Sequence, residues 1–449
     1  MELTSISVAK LHGFINATLK LKSGIAIIVG VNGAGKTSLL NLTANVLRLN
    51  FNEMLAVRFE QFVLKGKVGA ESFEISCAQS RDKLEIKFKR KNKIVETKIL
   101  HVPHFEEVIY QERASKYAYD RLMRRVYDEI ANSKVARFLR ENAKLTLVRL
   151  DRTLFAEDGD GAIAIDAPHL GRRVREVDDP VSRVDLVTKD KYNKYRIEAR
   201  KFHEALTTQI VSLLFQLPTS ITSGRPSGGK FTAAQLEVLR DKLIKVLNIG
   251  ATQDLSGKVV EYFTFAAKSL EEMSISGDAS ADASRRYVTQ LFFQSFEYPR
   301  LRGLSAAFEK YEKDVAKSFS QLDLFKRQLN DFLSDSKKEM FFSEAESSLR
   351  FRLKGEKDPV GRPISELSSG EKQIVIMLTY LAFLAGSNSM FIVDEPELSL
   401  HLAWQRKLIE SLSVLRPESS QLILATHSPE IVGPYRSAVT KLSPNYAEA

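Results

Sequence analysis

Four short segments of this 449-residue sequence carry residue types that could hold and cleave a phosphoanhydride. The first, Gly30-Val31-Asn32-Gly33-Ala34-Gly35-Lys36-Thr37, matches the phosphate-loop pattern G-x-x-x-x-G-K-[ST]. Glycines let such a loop curl until its N–H groups and the following helix N-terminus face phosphate oxygens. Lys36 is placed to neutralise the β- and γ-phosphates, and Thr37 to ligate Mg²⁺. Asn32, Gly33, Ala34, Gly35 and Ser38 complete the cradle begun at Gly30.

The second segment, Phe391-Ile392-Val393-Asp394-Glu395-Pro396, is an apolar strand ending in two acids. Paired with the phosphate loop, Asp394 reads as the Mg²⁺ ligand and Glu395 as the base that orients and deprotonates a water. The third is Leu367-Ser368-Ser369-Gly370-Glu371-Lys372-Gln373, whose Gly370 lies 24 residues before Asp394. A serine and a glycine at a helix start make a second anion-binding cup; an ordinary Ser N-cap with Glu371 in the first turn is the rival reading. The fourth, Thr426-His427-Ser428-Pro429, follows an apolar run, and His427 stands 33 residues past Asp394. At a strand's C-terminal edge, His427 can contact the γ-phosphate and hold Glu395 and its water in line.

The elements around these segments must form an α/β fold. Gly24–Val29, Met390–Val393 and Gln421–Ala425 read as buried strands, and the stretches after Lys36, Ser369 and Ala403 as helices, so the connections are parallel βαβ units. Leu3–Leu11 and Asn16–Leu21 read as strands, and residues 68–100 as an antiparallel meander. From about Tyr110 to Lys338 charged helical segments dominate, such as Arg113–Leu150, Lys189–Gln216, Ala233–Leu247 and Asp282–Ser336. The expected organisation is a split α/β domain, residues 1–110 and 339–449, interrupted by a helical insertion at 111–338. No heptad repeat runs long enough for an extended coiled coil.

A single cysteine, Cys77, excludes an internal disulfide and fits a reducing cytoplasm. No secretory leader is visible, and the longest apolar stretch, Ile374–Ala385, is too short to span a bilayer, so no membrane partner is expected. The charge of +10 is read first as a solvated basic surface. Affinity for DNA, through Lys87, Lys89, Arg90, Lys91 and Lys93 or through Arg172, Arg173 and Arg175, is the sharper alternative.

Taken together, the four motifs resemble those of the ABC-ATPase superfamily, in its soluble branch with SMC-like, RecF-like and OLD-family proteins. Asn32 and the wording Asp-Glu-Pro-Glu-Leu-Ser-Leu-His at 394–401 are typical of that branch. The resemblance covers roughly residues 1–50 and 360–435. It implies ATP and Mg²⁺ as cofactors and a head-to-tail dimer. In that dimer Leu367, Ser368, Ser369, Gly370 and Glu371 of one copy close on the γ-phosphate held by the other. It also implies a Mg²⁺-sensing glutamine, for which Gln111 is the first choice and Gln61 the second. Lys36 and Gly370 are 334 residues apart, unlike the closely spaced motifs of transporters. The sequence runs only 22 residues past His427, so an OLD-type nuclease domain is not expected. An ATPase head with a compact helical insertion resembles the ATPase subunits of anti-phage systems, such as AriA of PARIS or PtuA of Septu and of certain retrons. That resemblance implies a homo-oligomer, dimeric at least and of hexamer size in the larger case. Its implied partners are a separate nuclease or toxin effector and a phage-encoded trigger. A DNA-repair or chromosome-associated ATPase that clamps DNA is the alternative.

Overall fold

The computed structural model describes residues 1–102, 116–148, 154–156, 180–215, 232–246, 253–274, 296–386, 388–443 and 445–446. Strand β1 (Glu2–Leu11) buries Leu3, Ile6, Val8 and Leu11, with a register shift between Val8 and Leu11, and β2 (Ile15–Lys20) alternates throughout; the two pair antiparallel. After β3 (Ile25–Val29), helix α1 (Lys36–Arg48) and the short α2 (Phe51–Leu55), a meander follows. It consists of β4 (Gln61–Val68), β5 (Glu71–Gln79), β6 (Lys83–Arg90) and β7 (Lys93–His101). The expected antiparallel character is present, with Lys91 and Asn92 both at positive φ in a two-residue hairpin turn.

Helices α3 (Lys116–Ala131) and α4 (Lys134–Asn142) lead to β8 (Lys144–Val148) and β9 (Leu154–Ala156). Four long helices come next: α5 (Pro180–Leu214), α6 (Ala233–Val246), α7 (Gln253–Ser274) and α8 (Tyr298–Leu333). The chain then forms β10 (Lys338–Ser343), β11 (Ser348–Leu353), β12 (Arg362–Pro363) and α9 (Ser369–Phe383). It ends with β13 (Ser389–Asp394), α10 (Leu402–Leu415), β14 (Gln421–Thr426), α11 (Pro429–Val432), β15 (Val439–Lys441) and β16 (Asn445–Tyr446).

The architecture is mixed α/β. A six-stranded sheet runs β15-β3-β14-β13-β8-β9, parallel except for the β8–β9 pair. A seven-stranded antiparallel sheet runs β16-β2-β1-β4-β5-β6-β7. β13 and β14 are buried at every position, as strands covered on both faces must be. One core cluster joins Leu39 and Val46 of α1 to Ile392 and Ile423 of the parallel sheet and to Phe62 and Ile75 of the antiparallel one.

Two expectations need correction. The stretch 113–150 is not wholly helical: Lys144–Val148 is a strand, paired in parallel with β13 along Ser389–Val393. Its Leu-Thr-Leu-Val run is buried from Leu145 onward, and so short an apolar run has no period that separates strand from helix. The insertion is also shorter than 111–338. The described chain divides into one compact unit of residues 1–192 and 321–449 and a second of residues 193–320. By itself the second unit is helical, cored by Leu206, Ile210, Leu236, Phe263, Leu301 and Phe308.

The lysine-rich hairpin is not a free cationic patch. Lys89 and Lys65 pair with Glu74 at 2.8 and 3.1 Å, Lys87 with Glu85 at 2.9 Å, and Arg90 and Lys91 with Glu71.

Helix α9 begins with a complete capping box. Ser368 Oγ accepts from the Glu371 amide, and the Ser368 amide donates to Glu371 Oε2 at 2.8 Å. Lys338 Nζ donates to both carboxylate oxygens of the buried Glu371, at 3.0 and 2.8 Å. Burial alone would raise the Glu371 carboxyl; the hydrogen bonds from Lys338 first, then Ser368 and Ser336, hold it below its ordinary value. A depressed folded pKa contributes stability above the ordinary glutamate range that disappears as pH falls through the folded value. Lys338→Ala should therefore cost about 2–3 kcal/mol near neutral pH, since it strips one partner from a buried charge that Ser368 still serves. The difference from wild type should shrink on acidification; urea titrations at a series of pH values check this, and a pH-independent gap would contradict it.

Candidate nucleotide site

Register is what assembles the site. Val29 pairs with Thr426, and Ala425 with Asp394, so β3, β14 and β13 end side by side. The loop after β3, the histidine after β14 and the acids closing β13 therefore emerge at one edge of the sheet, where open α/β sheets bind ligands.

The phosphate loop bends through Gly33 (φ 80°) and Gly35 (φ 85°), backbone that L side chains rarely adopt. A Cβ at Gly35 would meet Leu11 and Ile15 at 3.4 Å, ordinary contact, so the backbone angle rather than space calls for glycine. Gly35 serves as N-cap of α1 without any side-chain cap, which leaves the first amides of this helix for a ligand. Helix α9, by contrast, is closed by its own capping box. Lys36 is buried and folds back on the loop, donating to the Gly30 carbonyl at 2.9 Å and the Val31 carbonyl at 3.2 Å. Burial lowers its pKa, opposed by Glu395, Asp394 and Glu397 in turn. A buried ammonium facing three carboxylates is poised to meet phosphate oxygens.

His427 bridges the two halves. Its Nδ1 lies 3.4 Å from Lys36 Nζ, and its Nε2 lies 3.3 Å from Glu395 Oε1. With Nδ1 accepting from the ammonium, Nε2 carries the proton and faces the carboxylate. Glu395 itself has φ 47°, a left-handed backbone costing about 1–3 kcal/mol for a non-glycine residue. Its amide donates to the Ala425 carbonyl at 2.8 Å, which ties the strained turn to β14.

Asp394 is buried and hydrogen-bonded to Thr37, yet its Oδ1 has no partner. Burial, the largest influence, raises its carboxyl above the usual aspartate value, and the Thr37 hydrogen bond opposes that. An orphaned buried carboxylate oxygen beside a threonine hydroxyl fits a small, hard divalent cation, as Mg²⁺ is.

A cleft of about 520 Å³, within the usual range for ligand pockets of about 300–1,000 Å³, collects the phosphate loop, Glu395 and His427, while Asp394 lines an adjoining cavity. The cleft is lined by Asn32, Gly33, Gly35, Lys36, Thr37, Ser38, Glu395 and His427, all expected from sequence. Gly30 contributes its carbonyl to Lys36, and Ala34 is buried in the core. Residues Leu367 to Glu371 do not line the cleft; Ser369 is exposed, whereas Glu371 is buried in its capping box. A Cβ at Gly370 would overlap the Ser399 carbonyl oxygen, so this glycine lets the start of α9 sit directly on the turn after β13. Gln111 lies outside the described residues, and Gln61 opens β4 without lining the cleft.

Four contributors were not singled out from sequence. His12 and Phe14 come from the β1–β2 turn, where His12 (φ 55°) and Gly13 (φ 92°) fold the chain over the loop; His12 Nε2 is 2.8 Å from Ser38 Oγ. Phe14, 48% exposed, lines the cleft; an aromatic left in water within a turn was the available signal. Glu397 also lines it. Gln373 donates to the Pro396 carbonyl at 3.2 Å while its buried Oε1 has no partner, beside Asp394 and Glu395 in an adjoining cavity of about 170 Å³.

The family model described as "AAA domain, putative AbiEii toxin, Type IV TA system" (AAA_21) matches residues 170–433, more than half of the chain. The chain belongs to the AAA_21 family. This is a family of P-loop ATPases, and its matched span contains the acids, the Ser369–Gly370 segment and His427 but not the phosphate loop itself. No match was found among curated proteins. Among solved structures, this AAA_21 chain is similar to one titled "Crystal structure of the SmcHead bound to the C-winged helix domain of ScpA". That similarity has a TM-score of 0.36 at 10% identity, covering 100% of this chain and 98% of the other. No helix among the described residues of the AAA_21 chain is long and apolar enough to cross a membrane.

Phe14→Ala should weaken nucleotide binding by about tenfold through loss of an aromatic face for the base, while Lys36 keeps its contacts. Fluorescent-nucleotide titration checks this; unchanged affinity would remove Phe14 from the site.

Proposed function

We propose that this chain binds Mg-ATP in the cleft at Lys36 and hydrolyses it slowly, in a site completed by Ser369 and Gly370 of a second copy. The observation that carries the reading is the meeting of Lys36, Asp394, Glu395 and His427 at three adjacent strand ends. When bound there, Mg²⁺ held by Thr37 and Asp394 supplies charge neutralisation to the β- and γ-phosphates. Lys36 leaves the carbonyls of Gly30 and Val31 to donate to the same oxygens. Glu395, held by its strained turn, takes a proton from the water. His427 keeps Glu395 in register through Nε2.

The start of α9 lies outside its own cleft, and Ser369 is exposed, which suits contact in trans. A head-to-tail dimer or a larger ring would provide that contact.

At the level of biology, we infer a sensor and scaffold of an anti-phage system that holds or controls a separate nuclease or toxin effector. The family description, a putative toxin of a paired system, supports an ATPase that works with another gene product. So does the presence of a second, helical unit in the chain. The DNA-clamp alternative leaned on the basic charge, the lysines at 87–93 and Arg172, Arg173 and Arg175; Lys87, Lys89 and Lys91 are in ion pairs with Glu85, Glu74 and Glu71, and the three arginines lie outside the described residues.

Lys36→Ala should abolish ATP binding, while Glu395→Gln should bind ATP and lose about 10²–10⁴ in turnover. Ser369→Arg should bind ATP but fail to turn it over. Phosphate-release assays with native mass spectrometry check all three; wild-type turnover in Ser369→Arg would exclude the shared site. Copurification from the native host that brings down DNA instead of a protein partner would favour the clamp.

A further inference from the structure

The carboxylate of Glu397 is the acceptor that holds the loop carrying His427. Its Oε1 accepts from the Thr426 hydroxyl at 2.8 Å, the His427 amide at 2.6 Å and the Ser428 amide at 3.2 Å. Three donors on one oxygen leave the loop little freedom, and the charge of the acceptor makes each bond stronger than a neutral one. The far end of the same loop is held separately: Ser428 Oγ donates to Gln405 Oε1 at 2.6 Å, and Gln405 Nε2 donates to the Leu400 carbonyl at 2.9 Å. Both anchors belong to the segment that follows Glu395, so His427 is fixed to the chain of its catalytic partner as well as to β14.

A purely structural clamp has no use for the second oxygen. Glu397 Oε2 is buried without a partner, and Glu397 lines the cleft that also holds Lys36 and Glu395. Leaving a carboxylate oxygen unpaired there is unfavourable, and an arrangement retained at that cost points to the site.

We propose that Glu397 is a positioning residue of the hydrolytic site, setting His427 Nε2 against Glu395 by gathering Thr426, His427 and Ser428 on one oxygen. The inference rests on the ATPase reading above. Glu397 touches neither the phosphates nor the water in this scheme; it acts through His427. A misplacement of about 1 Å at such a group can cost about 100-fold in rate.

The test compares wild type, Glu397→Ala and Glu397→Gln in full-length protein. It reads kcat, ATP affinity and the imidazole NMR signal of His427, assigned by its loss in His427→Ala. The expected result is a kcat about 100-fold lower in Glu397→Ala, ATP affinity within about threefold of wild type, and a displaced His427 signal. Glu397→Gln keeps an oxygen acceptor and should stay within about tenfold of wild-type kcat with its His427 signal near the wild-type position. Parallel loss of ATP affinity and thermal stability in Glu397→Ala would overturn the proposal in favour of a folding role. So would an unmoved His427 signal in that variant. A wild-type protein that binds ATP but releases no phosphate would sink the ATPase reading, whereas the His427 signal would still decide the clamp.

Discussion

The parallel pairing of β3, β14 and β13 is the constraint on which the rest depends. It joins residues 25–29 to residues 421–426, almost the full chain apart, and lines up Val29, Thr426 and Asp394 at one edge. A one-residue slip would turn each of these side chains to the opposite face. Several contacts hold the register. Gln421 Oε1 accepts from the Leu3 amide at 2.8 Å, and its Nε2 donates to the Leu3 carbonyl at 2.9 Å, locking the start of β14 to β1. The Leu442 amide donates to the Val29 carbonyl at 2.7 Å, sealing the far side of β3.

On that frame the site has been left incomplete in specific ways. Among the described residues, helix α1 has no side-chain cap, Lys36 bonds to the carbonyls of Gly30 and Val31 and to His427, and Asp394 and Glu397 each keep one buried oxygen unpaired. At the start of α9, by contrast, the capping box is complete and Glu371 has Lys338. Two buried carboxylate oxygens without a partner, flanking a strained Glu395, are what a site for a cationic or charged ligand requires.

The turn from Asp394 to His401 links the parts of the site. Glu397 and Gln405 tie it to the His427 loop, and Gly370 lets the start of α9 rest on the Ser399 carbonyl. A ligand pressing on Ser369 would therefore meet the same short segment that positions His427. The second unit, cored on Phe263 and Phe308, stands as a separate packing problem with its own apolar cluster.

Sequence by itself determined which motifs the folded chain would have to bring together. Gly30–Thr37, Asp394, Glu395 and His427 were legible because phosphate binding demands particular residue types at fixed local spacing, and each motif sits within a few residues of a strand end. The hairpin of the meander was equally legible, since polar turns interrupt a two-residue alternation. Tertiary structure alone decided what depends on distant partners. Lys144–Val148 is a strand because β13 lies beside it, although its short apolar run carries no period of its own. Phe14 and Glu397 join the site because a turn of positive φ and a three-donor oxygen bring them there, and neither type nor spacing announces such a contact. Lys89 in the basic cluster at 87–93 is matched to Glu74 only because β5 and β6 pair across the hairpin. Local motifs follow from stereochemistry within a few bonds, whereas these assignments follow from which surfaces the folded chain places in contact.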